Sequence, residues 1–261
     1  MPKISNRKKH AIFAVGVDKV VSRSNLDLVD LRFAAKDARR FVDVVKETFL
    51  VSDDITLTDS IEETSGSIPT RSRILLELRR FINRVKPAKN KVSSIILLFS
   101  GHGMHTESGF VFCCKDFESE IPSETGVRLD DIFSLLSDYS GRKVVLFDCC
   151  RSYYDKSAGT FHGRASLPQV TARISFSDSL IFSCRAGETS IEVGDLASGF
   201  GGIFIHELAG TMMSCKSAHY DIGAAYSDIK LSVSERAAEL ECRQTPAAFG
   251  ADIADLVFFR K

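Results

Sequence analysis

Five short apolar runs punctuate this chain, at Ala11–Val15, Ile95–Phe99, Val111–Cys114, Val144–Phe147 and Leu180–Phe182, and most are continuous rather than alternating. Successive side chains of a strand point to opposite sides, so a run that is apolar at every position reads as a strand covered on both faces. Helical patterns fill the spaces between the runs. Leu31, Ala34, Ala38, Phe41, Val45 and Phe49 step by three and four, giving one apolar stripe. Ile74, Leu78, Phe81 and Val85 repeat the pattern, with Thr70 placed to cap the helix start. Ile203–Met213 and Tyr226–Leu240 read as two more amphipathic helices, and Phe249 and Leu256–Phe259 as late strand material. Strands alternating with helices predict an α/β fold, a mostly parallel central sheet with helices on both faces.

The segment Tyr153–Arg173 breaks the rhythm. It carries Lys156, Ser157, Gly159, Gly163, Arg164, Ser166 and Pro168 with little apolar periodicity, and reads as a long loop. With 261 residues, 44% of them hydrophobic and 26% charged, the chain can bury a core of one domain. Lys and Arg number 34, as do Asp and Glu, so no global field favours nucleic acid or an anionic membrane, and neither is expected as a partner. Ile95–Phe99 is the longest strongly apolar stretch, far short of the roughly 20 residues a spanning helix needs. Arg7-Lys8-Lys9 before Ala11–Val15 imitates a signal peptide, but the apolar part is short and Asp18 follows, so it reads as a first buried strand. Seven cysteines, two pairs of them adjacent, form no disulfide framework and predict a reducing cytoplasm.

Chemistry concentrates at two strand ends. Ile95–Phe99 runs into Ser100-Gly101-His102-Gly103, and Val144–Phe147 runs into Asp148-Cys149-Cys150-Arg151-Ser152. The C-terminal edge of an open parallel sheet is where ligands bind, and glycines beside a histidine allow close backbone approach. A thiol needs a neighbouring base to become an effective nucleophile, and the two segments supply both parts. Taken alone, His102 reads equally well as a structural histidine at a strand end; the Cys150 segment tips the balance to catalysis. A zinc reading of His102, His105, Cys113 and Cys114 fails, because the spacing matches no common pattern and adjacent strand cysteines face opposite ways. The other cysteines read as small buried hydrophobes.

The pattern resembles the caspase and metacaspase peptidases. His102 precedes Cys150-Arg151 by 48 positions, close to the caspase spacing. Asp148-Cys149-Cys150-Arg151-Ser152 is similar to the Asp-x-Cys-His-Ser run of metacaspases, with Arg151 where those have histidine and where caspases and paracaspases have arginine. Leu31-Arg32-Phe33-Ala34-Ala35-Lys36-Asp37-Ala38 resembles the first-helix motif. Ser183–Ser190, Gly202-Ile203-Phe204 and Gln244-Thr245-Pro246 resemble small-subunit motifs. The resemblance implies a three-layer caspase-like (caspase-hemoglobinase) fold as a single domain. Residues 1–152 would be large-subunit-like, 153–173 a processing linker and 174–261 small-subunit-like. It implies a Cys150 nucleophile, a His102 general base, and an oxyanion hole made by the backbone N–H groups of Gly103 and Cys150. Alternation along the strand end allows one of the adjacent cysteines to face His102, which leaves Cys149 beneath the sheet edge.

Substrate choice follows from charge. Caspases, which prefer aspartate at P1, carry glutamine two residues before the nucleophile, where this chain has Asp148; a carboxylate there repels an acidic P1 and pairs with a guanidinium or ammonium. The metacaspase basic pocket also uses a first-helix aspartate and the serine before Gly-His-Gly, which correspond to Asp37 and Ser100. The resemblance therefore implies peptide substrates cut after Arg, then Lys, with Lys156, Arg164 and Arg173 as candidate processing points for self-cleavage or an activating protease. It also leans toward a monomer. No cofactor is required. Calcium would have to be held by Asp116, Asp130 and Asp131, a thin cluster for a cation that wants several oxygens. Two alternatives stay open: a silent caspase-like module acting through a partner, and a same-clan peptidase with aspartate P1 preference.

Overall fold

The computed structural model describes residues 9–21, 28–59, 68–86, 92–155, 160–162, 178–194, 200–250 and 257–261. The main sheet has six strands: β1 (Lys9–Gly16), β2 (Val51–Thr58), β3 (Val92–Ser100), β7 (Arg142–Asp148), β10 (Asp178–Phe182) and β12 (Ala247–Phe249). Their order is β12-β10-β7-β3-β1-β2, all parallel except the antiparallel edge strand β12. One row of paired residues, Ile55, Phe13, Leu97, Val145, Leu180 and Phe249, crosses all six strands. The next row is Thr56, Ala14, Leu98, Leu146, Ile181 and Ala248.

The two rows belong to opposite faces, which is why the runs are apolar at every position. The first faces α2 (Arg71–Val85) and α4 (Leu129–Leu136), burying Ile74, Leu78, Phe81, Ile132 and Leu136. The second faces α1 (Ala34–Thr48), α5 (Ile203–Ser214) and α6 (Ile222–Glu239), burying Phe41, Val45, Ile205, Leu208 and Val233. Helix, sheet and helix make three layers, the expected fold. Thr70 caps α2 as its position predicted, accepting a hydrogen bond from the Arg73 amide at 3.3 Å. No helix among the described residues is long and apolar enough to cross a membrane.

A second sheet stands at the C-terminal edge of the first. It comprises β4 (Gly103–Thr106), β5 (Gly109–Phe112), β6 (Val127–Arg128), β8 (Ser152–Asp155) and β9 (Thr160–His162), in the order β6-β5-β4-β8-β9. Two expectations change here. Val111–Cys114 contributes β5 to this small sheet rather than a strand to the main one, and the segment expected as a loop from Tyr153 begins as the antiparallel pair β8–β9. Main-chain pairing to β4 at Met104 and His105 organises those residues without an apolar pattern. A short helix α3 (Pro122–Thr125) and the pair β11 (His219–Asp221) and β13 (Val257–Phe259) complete the described elements. Gly16 lets the start of α1 dock on the sheet: a Cβ there would lie 2.5 Å from the Ala34 carbonyl oxygen and 2.6 Å from Ala35 Cα.

Candidate active site

Register places the site residues. Gly16, Ser100 and Asp148 are paired in one row at the C-terminal ends of β1, β3 and β7. They continue the series Ala14, Leu98 and Leu146, so Ser100 and Asp148 point toward α1, whose first turn carries Asp37. One residue later the direction reverses: Cys149 joins the core of the opposite face, where Phe147 also lies, and is 1% exposed. Cys150 reverses again and is half-buried. It lines a narrow cleft together with Leu31, Asp37, Ser100, His102, Asp148 and Ser190.

The flanking glycines have a packing reason. Gly101 adopts φ 152°, and a Cβ on Gly103 would sit 2.7 Å from both Cys149 Sγ and Phe110 Cζ and 3.1 Å from the Cys150 carbonyl oxygen. A residue with a side chain at 103 would push the β4 backbone off the Cys149–Cys150 segment. The expectation that the glycines serve substrate approach is thus joined by a contact inside the protein.

His102 Nε2 lies 2.7 Å from the carbonyl oxygen of Val29, so this nitrogen is the donor and Nδ1 keeps its lone pair. Burial lowers the imidazole's pKa, with the Val29 contact opposing, and burial raises that of the Cys150 thiol. Both shifts favour the neutral forms of the two groups. Cys150 Sγ also contacts the Ser190 carbonyl oxygen at 3.9 Å.

Three carboxylates converge on the cleft. Asp37 Oδ2 accepts from the Gly202 amide at 2.6 Å, and Asp148 Oδ1 accepts from the Ser190 hydroxyl at 2.6 Å. Both meet at Gly202, where a Cβ would lie 2.5 Å from Asp148 Oδ2 and 3.1 Å from Asp37 Oδ2. The third, Glu192, has no counterpart in the sequence reading. It accepts from the backbone N–H groups of Arg32 and Phe33, both at 3.1 Å, which fixes it against the start of α1. Burial, then the charge of Asp148, pushes Asp37 up to about 8; burial pushes Asp148 up to about 6 against hydrogen bonds from Ser190 and Ser183. Among the described residues no lysine or arginine lines the cleft.

Arg151 does not neutralise Asp148. Its side chain is fully buried, 4.1 Å above the Phe182 ring, with Nη1 donating to the Cys184 carbonyl oxygen and Nη2 3.4 Å from His105 Nε2. Asp116, Asp130 and Asp131 lie outside the cleft. Asp131 is paired with Arg71 at 2.9 Å and Arg128 at 2.5 Å, and Asp116 accepts from the Arg71 backbone N–H at 2.9 Å. Among the described residues no group of three His, Cys, Asp or Glu side chains could hold a metal ion. Lys156, Arg164 and Arg173 lie outside the described residues.

Comparison with known proteins agrees with this architecture. The family profile of the caspase domain matches residues 21–258. Caspase-1 from Spodoptera frugiperda superposes with a TM-score of 0.60 at 13% identity, covering 95% of this chain and 91% of that one. A structural-genomics target from Geobacter sulfurreducens superposes with a TM-score of 0.58 at 15% identity, covering 92% of each chain. At these identities the likeness speaks to the fold alone. No curated protein matches the sequence significantly.

Proposed function

The chain belongs to the caspase-domain family of peptidases, and from that premise we propose that it is a cysteine endopeptidase that cleaves after basic residues, Arg before Lys, with Cys150 as nucleophile and His102 as general base. The observation that carries the P1 preference is the cleft beside Cys150, lined by Asp37, Asp148 and Glu192 and, among the described residues, by no lysine or arginine. Burying the Asp37 and Asp148 carboxylates without a cation, with Glu192 half-buried beside them, is costly, and a substrate guanidinium or ammonium relieves that cost. Arginine is favoured because its planar fork can satisfy two carboxylates at once, whereas lysine offers a compact point charge.

The chemistry is acyl transfer. His102 Nδ1 takes the Cys150 proton as sulfur attacks the carbonyl carbon of the P1 residue, and the resulting oxyanion is received by the N–H groups of Gly103 and Cys150. Collapse expels the amine, which takes the proton back from His102, and leaves a thioester. Water, deprotonated by His102, then hydrolyses the thioester and restores the thiol. The Val29 carbonyl orients the imidazole and favours its cation while the proton is held, the role a third group plays in other nucleophile–base pairs. Processing at Lys156, Arg164 or Arg173 belongs to the same proposal and rests on sequence alone. It predicts a cleaved band on a denaturing gel that Cys150→Ala abolishes.

The decisive experiment is turnover of fluorogenic peptides with Arg, Lys or Asp at P1 by the wild-type chain and by Cys150→Ala, with and without calcium. Arg and Lys turnover lost in the variant is the expected result. Turnover of Asp peptides alone would sink the pocket assignment, and silence with all three would favour a binding module.

A further inference from the structure

Gln244 sits outside the cleft, on the segment between α6 and β12, and is 1% exposed. Its amide is fully used: Oε1 accepts from the Ile191 amide at 2.9 Å, and Nε2 donates to the Ser183 carbonyl oxygen at 3.2 Å and to Ser190 Oγ at 3.3 Å. The two backbone partners leave one orientation for the amide, since only oxygen can take the Ile191 N–H and only nitrogen can meet the Ser183 carbonyl. Ser190 Oγ also accepts from the Ser183 hydroxyl at 2.9 Å. Ser190 in turn donates its single proton to Asp148 Oδ1 at 2.6 Å.

We infer that Gln244 is a positioning residue for P1 selection, acting on two of the three pocket carboxylates. Through Ser190 it fixes the proton that holds Asp148 Oδ1, and through Ile191 it fixes the residue next to Glu192. Neighbouring contacts brace the same strap: the Glu188 carboxylate accepts from the Thr245 amide at 2.7 Å and from the Thr245 hydroxyl at 3.3 Å. The pocket wall is therefore held by a side chain that touches neither substrate nor nucleophile. This inference rests on the proposed basic-P1 reading.

Gln244→Met removes the donors and the acceptor at nearly constant volume, and Gln244→Glu keeps an acceptor for Ile191 while drawing the Ser190 proton away from Asp148. Three readouts separate the roles: kcat and KM on an Arg-P1 peptide, the same on its citrulline counterpart, and the rate of Cys150 alkylation by iodoacetamide. Both variants should lower kcat/KM for the Arg peptide about 10- to 100-fold, mainly through KM, with a smaller loss on citrulline. Alkylation should proceed at the wild-type rate, because the thiol and its base are untouched. If Gln244→Met fails to fold, Gln244→Glu decides alone. Unchanged Arg kcat/KM, equal losses on Arg and citrulline, or a parallel fall in alkylation overturns the inference while leaving the proposed function standing. A wild-type enzyme that turns over no basic-P1 peptide sinks that function, and this inference with it.

Discussion

Asp148→Asn tests the electrostatic reading most directly. The substitution keeps a side-chain oxygen to accept from Ser190 and removes only the charge. Asp148 is 5% exposed, and among the described residues no lysine or arginine lines the cleft, so a bound guanidinium would be its principal counter-ion. Removing one partner of a buried, hydrogen-bonded ion pair costs about 3–5 kcal/mol. Asp37 and Glu192 remain to share the guanidinium, so the lower end applies. About 3 kcal/mol corresponds to roughly a 100-fold loss in kcat/KM for an Arg-P1 peptide. A citrulline-P1 peptide has the same shape without the charge and should lose far less. The pH dependence supplies a second signature. Burial raises the Asp148 carboxyl to about 6, so the wild type is charged above that value and neutral below it. The advantage of wild type over Asp148→Asn should therefore shrink as pH falls through about 6 and be full at pH 8. Initial rates with both peptides from pH 5 to 8 make the measurement. Equal losses on Arg and citrulline, or a ratio that ignores pH, would refute the reasoning.

Other perturbations probe separate parts of the structure. Cys150→Ala should abolish turnover, whereas Cys149→Ala, which truncates a side chain packed in the core on the far face, should keep most of the activity and lower the melting temperature; the reverse pattern would reassign the nucleophile. Gly103→Ala forces a methyl against Cys149 Sγ and Phe110, and should cost about 1–3 kcal/mol of stability together with most of the activity, read by denaturant titration and peptide assay. Asp37, held at about 8 by burial and then by Asp148, keeps its proton in the folded state where the unfolded chain has lost it, so stability is full below the unfolded value near 3.8 and is lost as pH rises toward 8. Between pH 7 and 8 this amounts to about 1 kcal/mol, and Asp37→Asn should flatten the decline in denaturant titrations at the two pH values. Lys143 and Asp178 pair at 2.6 Å at the N-terminal ends of β7 and β10, with side chains 8% and 6% exposed. Lys143→Met should cost about 3–5 kcal/mol in the same titration and leave kcat/KM at low temperature unchanged, since the pair lies at the far end of the strands from the cleft.

How much of this was legible depends on whether a residue acts through its own pattern or through a distant partner. β1, β3, β7 and β10 are buried on both faces, so their continuous apolar runs announced them. β2 did not: Ser52, Asp53 and Asp54 interrupt it, because as an edge strand it is only partly covered. The helix Leu129–Leu136 is too short for its periodicity to stand out, and β4, β8 and β9 are held by main-chain pairing that leaves no side-chain pattern. In the site, Ser100, His102, Asp148 and Cys150 could be read because each closes a recognisable strand. Asp37 could be read because it lies in a motif on a periodic helix.

The residues that escaped share one property. Val29 contributes a carbonyl oxygen, which every residue possesses, and Glu192 reaches the cleft by bonding amides at Arg32 and Phe33, 160 and 159 positions away. Gln244 acts through Ser190 and Ile191 across a similar fold-level contact. The strand-end residues can place a thiol, a base and two carboxylates, but they cannot hold a pocket wall, because the strands end there. That wall has to be built from irregular segments braced against one another. Selectivity for P1 in this chain should accordingly be more sensitive than reactivity at Cys150 to changes between Glu188 and Glu192 and at Gln244, even though none of those residues lies on a strand of the main sheet.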